Sequence, residues 1–336
     1  MHPRRKLLIA GLVLLLAAAV VAFVVMRQSS KPPQAMRLLP EGEFLLYANL
    51  KVLHFFDSKP SNSVQLDPEY QTFVDQTGIR FERDLDEVAM SRRDPGNGAD
   101  VESSEIFAGH FDLNRLRNYL QKLATTTEKY ADKTVFSILH EGHTVRVCIL
   151  NDNQVAVTNM ASAEPIHSMI DKFRNAALAA QGPYLAEHYY AYVPFTSAAW
   201  LVYRVPSQAG AAQLPGGLNF DFLQNTTGVI SLRYSGALQL RADVFAESEA
   251  EAKDVAESAH NFLSLYRSIA QSVGTRGSDK DVKKVFDSIQ IEQKENKAIF
   301  TATIPPAFLK KIASDAQGGS QTGNQGQDWP TPGKRP

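Results

Sequence analysis

Residues 7–26, LLIAGLVLLLAAAVVAFVVM, are twenty consecutive residues without a charge or a strongly polar side chain. As a helix rising about 1.5 Å per residue, the run spans roughly 30 Å, the depth of a bilayer's hydrocarbon core. A helix satisfies its own backbone hydrogen bonds, so such a segment can cross lipid unaided. The expectation is a single transmembrane anchor, with the lipid bilayer as a partner through residues 7–26. A cleaved signal peptide is the competing reading, because the start is basic and Ala17-Ala18-Ala19 offers a small-residue cleavage site. A signal core runs about 7–15 residues, however, and here the apolar run continues through Phe23, Val24, Val25 and Met26. No cysteine follows it, which closes the lipoprotein route. Arg4, Arg5 and Lys6 favour a cytoplasmic N-terminus over residues 1–6. No second apolar stretch of that length occurs, so the rest of the chain is expected on one side. The expected arrangement is single-pass, with the C-terminal body outside the cytoplasm.

Charge is unevenly distributed. The net charge is −1, yet residues 1–36 hold five basic side chains and no acid, leaving 30 basic and 36 acidic residues beyond them. A body of net −6 gives no electrostatic reason to expect nucleic acid as a partner. The single cysteine, Cys148, excludes an intrachain disulfide and a cysteine-based zinc cluster. Apolar residues at 44% and charged residues at 21% exclude wholesale disorder.

Residues 27–36 contain Pro32-Pro33 and read as a semi-extended linker off the membrane. Residues 315–336, rich in Gly, Gln and Pro, are expected to be a disordered tail. Between them the patterning is clear. Residues 43–50 read as a strand, and Pro68 opens a helix with stripe Tyr70, Phe73 and Val74 that Gly78 ends. Two strands flank the loop from Asp94 to Asp100, and Asp112 caps a helix with Leu113, Leu116, Leu120 and Leu123 on one stripe. A hairpin turning at Glu141-Gly142 pairs Phe136 with Val147 and Ile138 with Val145. A further strand follows, then a helix from Ser162 to about Gln181. Beyond Gly182-Pro183 the plan repeats: strands at 198–205 and 228–235, a three-residue loop pairing Leu232 with Leu240, and a long helix after Ser248 with stripe Ala252, Val255, Ala259 and Phe262. A last hairpin pairs Ile291 with Phe300, and Pro305-Pro306 starts a short final helix. Hairpin connections give antiparallel pairs, so the fold class is α+β: two tandem modules, 37–182 and 183–314, of mostly antiparallel sheet packed with helices.

Several local sequences carry a resemblance. They are Leu39-Pro40 ahead of a Tyr-containing strand, Thr77-Gly78-Ile79 followed by Arg83-Asp84-Leu85-Asp86, and Gly109-His110-Phe111-Asp112 leading into a helix. The Ala-rich helix after Ser248, the Ser288 hairpin and Ile304-Pro305 complete the set. Together they resemble a family of uncharacterised bacterial proteins, exported or held by an N-terminal anchor. The resemblance implies an α+β fold and a place in a bacterial inner membrane, single-pass, with the C-terminal body in the periplasm or otherwise outside the cytoplasm; no functional residue is carried over from it.

The candidate groups for chemistry are few. His140 and His143 share a hairpin face and could hold a metal with a third ligand, against the simpler reading of a solvated hairpin tip. Glu82, Asp84, Asp86 and Glu87, or the loop Asp94, Asn97 and Asp100, carry oxygens suited to calcium but match no EF-hand spacing. His167 and Asp171 lie one helical turn apart, a base-and-orienter spacing, although no G-x-S-x-G elbow accompanies them. Tyr184, His188, Tyr189, Tyr190, Tyr192 and Phe195 concentrate aromatic surface at the module boundary. Tyr184, His188, Tyr189, Tyr190 and Tyr192 are the candidate ligand or partner surface, with packing between modules as the alternative. No catalytic residue, metal site or cofactor site is assigned. The expected function is a membrane-anchored extracytoplasmic binding or scaffold protein for a protein or small-molecule partner. The alternatives are an envelope hydrolase whose residues assemble only in the fold, and a structural component of an envelope assembly.

Overall fold

The computed structural model describes residues 31–54, 68–95, 100–175, 177–180, 182–205, 212–214, 218–220, 223–272 and 280–305. The expected transmembrane segment 7–26, the expected tail 315–336 and the short final helix expected after Pro305 lie outside the described residues. Among the described residues no helix is long and apolar enough to cross a membrane.

In chain order the first half comprises α1 (Gln34–Leu38), β1 (Phe44–Asn49), α2 (Leu50–His54), α3 (Pro68–Thr77), α4 (Phe81–Asp84), β2 (Leu85–Arg93) and β3 (Glu102–Gly109). It continues with α5 (Leu113–Leu123), β4 (Thr126–Tyr130), β5 (Lys133–His140), β6 (His143–Asn151), β7 (Gln154–Thr158) and α6 (Glu164–Arg174). The second half comprises α7 (Tyr184–Tyr189), β8 (Ser197–Arg204), β9 (Ala212–Leu214), β10 (Leu218–Phe220), β11 (Thr227–Tyr234) and β12 (Leu238–Phe245). It ends with α8 (Glu249–Ser272), α9 (Lys280–Ser288), β13 (Gln290–Lys294) and β14 (Lys297–Ile304). The class is α+β, with the strands antiparallel throughout.

Twelve of these strands make one sheet in the order β13-β14-β12-β11-β8-β1-β2-β3-β7-β6-β5-β4, while β9 and β10 pair separately. The expected boundary at 182/183 therefore does not separate two sheets. β1 pairs with β2 on one side and with β8 on the other, Tyr47 lying opposite Ala89 and Trp200. Each half builds outward from this seam by the same plan. Three antiparallel strands come first (β1-β2-β3 and β8-β11-β12), then a helix (α5 and α8) packed on the same face of the sheet.

That face, here the back, carries two apolar clusters. Leu116 and Leu120 of α5 pack on Phe136, Val147 and Val155, while Val255 and Ala256 of α8 pack on Tyr203, Val244 and Ala298. The front face carries the largest cluster, drawn from both halves: Leu45, Tyr47, Ile106 and Cys148 with Trp200, Val202 and Val229 beneath Ile166, Met169 and Ile170 of α6. Alternation puts every second strand residue on each face. Gly109 marks a close approach between the end of β3 and the start of β2, because a Cβ there would sit 2.1 Å from the Asp84 carbonyl oxygen.

The local readings are realised at many points. Phe136 opposes Val147 and Leu232 opposes Leu240 as expected. Asp112 Oδ1 accepts from the Asn114 and Arg115 amides, and Gly78 (φ 75°) ends α3. Three differ. The helix expected to reach Gln181 stops at Arg174, because Asn175 turns extended and its side chain takes the Ala177 amide. On α8 the buried stripe passes through Leu263, leaving Phe262 47% exposed. The linker expected over 27–36 ends sooner. Pro33 precedes the first turn of α1, where a missing N–H costs nothing, and Ala35, Met36, Leu38 and Leu39 are at most 1% exposed.

Met36 thus lies inside the front core, 0% exposed. Met36→Ala should destabilise the fold by about 2–5 kcal/mol in a denaturant titration, whereas a spacer residue would change it by less than about 0.5 kcal/mol.

Candidate functional site

The segment 184–195 crosses the front face at the seam. Leu185 and Ala186 are buried, and the Tyr184 amide donates to the Glu41 carboxylate at 2.9 and 3.0 Å. The fold divides the predicted ring cluster. Tyr189 meets Phe245 edge-on at 5.1 Å, and Tyr190 packs on Trp200 at 5.5 Å, which in turn stacks on Tyr47 at 5.7 Å. Burial raises the Tyr190 and Tyr47 phenols above their ordinary range, with Glu87 adding to the rise at Tyr47. These rings are packing between the halves. Tyr184, with His188 stacked on it at 3.8 Å, is instead 53% exposed, and Phe195 is 72% exposed. Tyr192 lies between: it touches Phe245 at 4.6 Å and carries the Lys297 ammonium 4.9 Å above its ring.

Beyond this aromatic shoulder the front face changes character. In β12 the alternation of LQLRADVF sends Leu238, Leu240 and Val244 backward and Gln239, Arg241 and Asp243 forward. The neighbours continue the forward rows. Gln239 lies between Arg233 and Thr303, Arg241 between Ser231 and Thr301, and Asp243 between Val229 and Ile299. Asp243 is the electrostatic root of the patch. It is 1% exposed and accepts from Arg241 Nε at 2.7 Å and Nη2 at 2.8 Å, with Lys297 Nζ 3.7 Å away. Such a bidentate pair fixes the guanidinium plane. Arg233 donates to Gln239 Oε1. A cavity of about 360 Å³ opens here, lined by Ser231, Arg233, Gln239, Arg241, Thr301 and Thr303 together with Ser288, Gln290, Pro194, Leu240 and Ala302. The sequence reading missed this group. Its signal was the polar alternation Gln239-x-Arg241-x-Asp243 beside Thr301-x-Thr303.

His167 and Asp171 do not pair with each other. Each reaches the edge strand β4, an element the sequence reading did not include. His167 stacks on Tyr130 at 3.8 Å, and its Nε2 lies 3.1 Å from Glu128 Oε1 as an ion-pair contact whose angle makes no hydrogen bond. The Tyr130 hydroxyl donates to Asp171 Oδ2 at 2.8 Å. A shallow hollow of about 560 Å³ adjoins this clasp, lined also by Glu164, Ser168 and Lys172. Lys172 Nζ donates to the Leu39 carbonyl at 2.6 Å, and burial lowers its pKa. His167 meets a carboxylate and a ring face, and among the described residues no hydroxyl is hydrogen-bonded to it.

The remaining candidates separate. His140 opposes His143, whose Nε2 lies 3.4 Å from Asp100 on the surface. Glu82 accepts from the Tyr70 hydroxyl, Asp84 pairs with Arg83, and Asp86 meets Lys51 and His110, so the acidic run is spent on local contacts. Asn97 lies outside the described residues. Among the described residues no group of three His, Cys, Asp or Glu is placed to hold a metal ion. Burial pushes the Cys148 thiol up to about 12, which disfavours the reactive thiolate.

No family model matches this chain, and no curated protein matches it. Among solved structures, crystal forms I, III and IV of a protein named TP0453 are similar at TM-scores of 0.42, 0.44 and 0.41. Each shares 11% identity, covers 84% of this chain, and is itself covered over 96–98% of its length.

Glu105 provides a test of the back face near the seam. It lies between Met90 and Val157, and burial raises its carboxyl above the ordinary 4.5, partly opposed by the Ser103 hydroxyl that donates to it at 3.1 Å. The folded chain therefore holds this proton more tightly than the unfolded one. The stability involved is complete below 4.5 and declines as pH rises through the folded-state value. Glu105→Gln should raise the thermal midpoint at neutral pH, with the difference closing below 4.5 in melts across that range.

Proposed function

We propose that this chain is a binding protein of a bacterial inner membrane, anchored once by residues 7–26, whose body stands in the periplasm and engages a partner or ligand without catalysing a reaction. The two halves act as modules of one sheet, and neither a cofactor nor nucleic acid is required. The observation that carries the binding part is the polar cavity on the front face, shouldered by exposed Tyr192 and Phe195. Packing alone gives no reason for two arginines, two threonines and a glutamine to converge on one sheet face around a buried aspartate. Of the predicted surface, Tyr184, His188 and Tyr192 stay available to a partner, while Tyr189 and Tyr190 serve the seam.

The location rests on the length and apolarity of residues 7–26 and on the basic residues ahead of them. The hydrolase alternative would draw on the hollow beside His167. There the imidazole is engaged by Glu128 and Tyr130, and among the described residues no hydroxyl is hydrogen-bonded to it.

Protease added to spheroplasts should digest the body while a cytoplasmic marker survives, and the undigested chain should sediment with inner membranes. A body that resists protease until the spheroplasts are lysed contradicts the proposal.

A further inference from the structure

We infer that the front-face cavity recognises a carboxylated sugar, its two arginines taking the carboxylate and its threonine and glutamine side chains the ring hydroxyls; this rests on the binding reading above and specifies its ligand class. Four observations lead there. First, the lining is mostly polar, Pro194, Leu240 and Ala302 being its apolar members. Sites for apolar small molecules are lined predominantly by hydrophobic side chains, and at about 360 Å³ this cavity sits near the small end of ligand sites.

Second, the guanidiniums are held with donors to spare. Asp243 takes Nε and Nη2 of Arg241, and Gln239 takes Nη2 of Arg233. Arg241 Nη1, and Nε and Nη1 of Arg233, keep no hydrogen-bond partner among the described residues. Arg233 and Arg241 are diagonal neighbours on adjacent strands, a spacing of about 7–8 Å that long side chains bridge, so both can reach one oxyanion.

Third, the hydroxyls divide by availability. Ser288 Oγ is committed to the backbone of Val285 and Thr303. The hydroxyls of Thr301 and Thr303 and the amide of Gln290, by contrast, take no partner among the described residues. Hydroxyls and amides both donate and accept, which suits ring hydroxyls better than a bare anion.

Fourth, the local charge is small. Arg233, Arg241 and Lys297 face Asp243 and Glu292, a net of +1 that matches a single carboxylate rather than a doubly charged phosphate. Phe195, next to the cavity-lining Pro194, offers an exposed ring against which the C–H face of a sugar can pack.

The probes are methyl galacturonide, which carries one carboxylate, its neutral counterpart methyl galactoside, and inorganic phosphate. Each is titrated calorimetrically into the detergent-solubilised full-length chain at fixed ionic strength. Methyl galacturonide should bind saturably, and methyl galactoside at least about tenfold more weakly. Arg233→Gln, on an exposed side chain, and Thr301→Val should each weaken the acidic probe with an unchanged melting temperature, Arg233→Gln by at least about tenfold. Arg241 is left intact, since its loss would strand the buried Asp243 carboxylate. The inference is overturned if methyl galacturonide does not saturate or methyl galactoside binds equally well. Affinity indifferent to Arg233→Gln, or complete displacement of methyl galacturonide by equimolar phosphate, overturns it too. Protease shaving of spheroplasts reads the anchored-body proposal separately, so a periplasmic body that ignores methyl galacturonide sinks the ligand class alone.

Discussion

Strand β1 has two partners, and that double pairing organises the molecule. Its backbone groups are satisfied by β2 on one edge and β8 on the other, strands separated by more than a hundred residues of chain. A buried unpaired N–H or C=O is costly, so neither half can leave the other without exposing a full strand edge at the centre of the sheet. The packing above the seam repeats the linkage. Tyr47 from one half stacks on Trp200 from the other, and Tyr190 closes over the tryptophan. The short helix α1, which carries Met36, and α6 cover the same front face, tying residues 34–38 into the shared core.

A sheet this wide needs cover on both faces, and the cover is distributed unequally. The back is roofed by α5 and α8, one for each half, while the front is roofed around the seam by α1, α6 and α7. Past Tyr192 the front-face residues of β12 and β14 switch from apolar to charged and hydroxylated. The Asp243–Arg241 pair is what makes that switch tolerable. A carboxylate at 1% exposure is stable there only because a guanidinium grips both its oxygens and Lys297 stands near. Charged and hydroxylated side chains are thereby placed at a strand surface, beside exposed rings that the seam segment carries out of the core.

Local patterning was legible in the sequence wherever neighbours in the chain are neighbours in space. The Glu141-Gly142 and Ser235-Gly236-Ala237 turns set their registers correctly because a one-residue slip would turn Phe136 or Leu232 to the wrong face. What escaped depends on distant partners. α1 looked like a spacer because Pro32-Pro33 and a five-residue helix say nothing about a core completed by β2, β3 and α6. β4, with its sequence TTEKY, has one strand partner and little burial, so no periodicity announces it, yet it captures His167 and Asp171. The aromatic cluster was visible as composition. Which rings are buried was decided by Trp200 and Phe245, brought in by strands well downstream. The polar cavity was missed because its alternation, read one strand at a time, is that of any solvated sheet face, and only the register of β11, β12 and β14 assembles it.

Amide hydrogen exchange on the full-length chain under mild denaturant tests the shared seam most directly. Amides of Phe44–Asn49 and Ser197–Arg204 should be among the slowest, and both should open only in the same global transition, with equal free energy and denaturant dependence. Exchange of one half through a lower-energy opening, with protection of the other half left intact, would contradict a single sheet that stands or falls at β1.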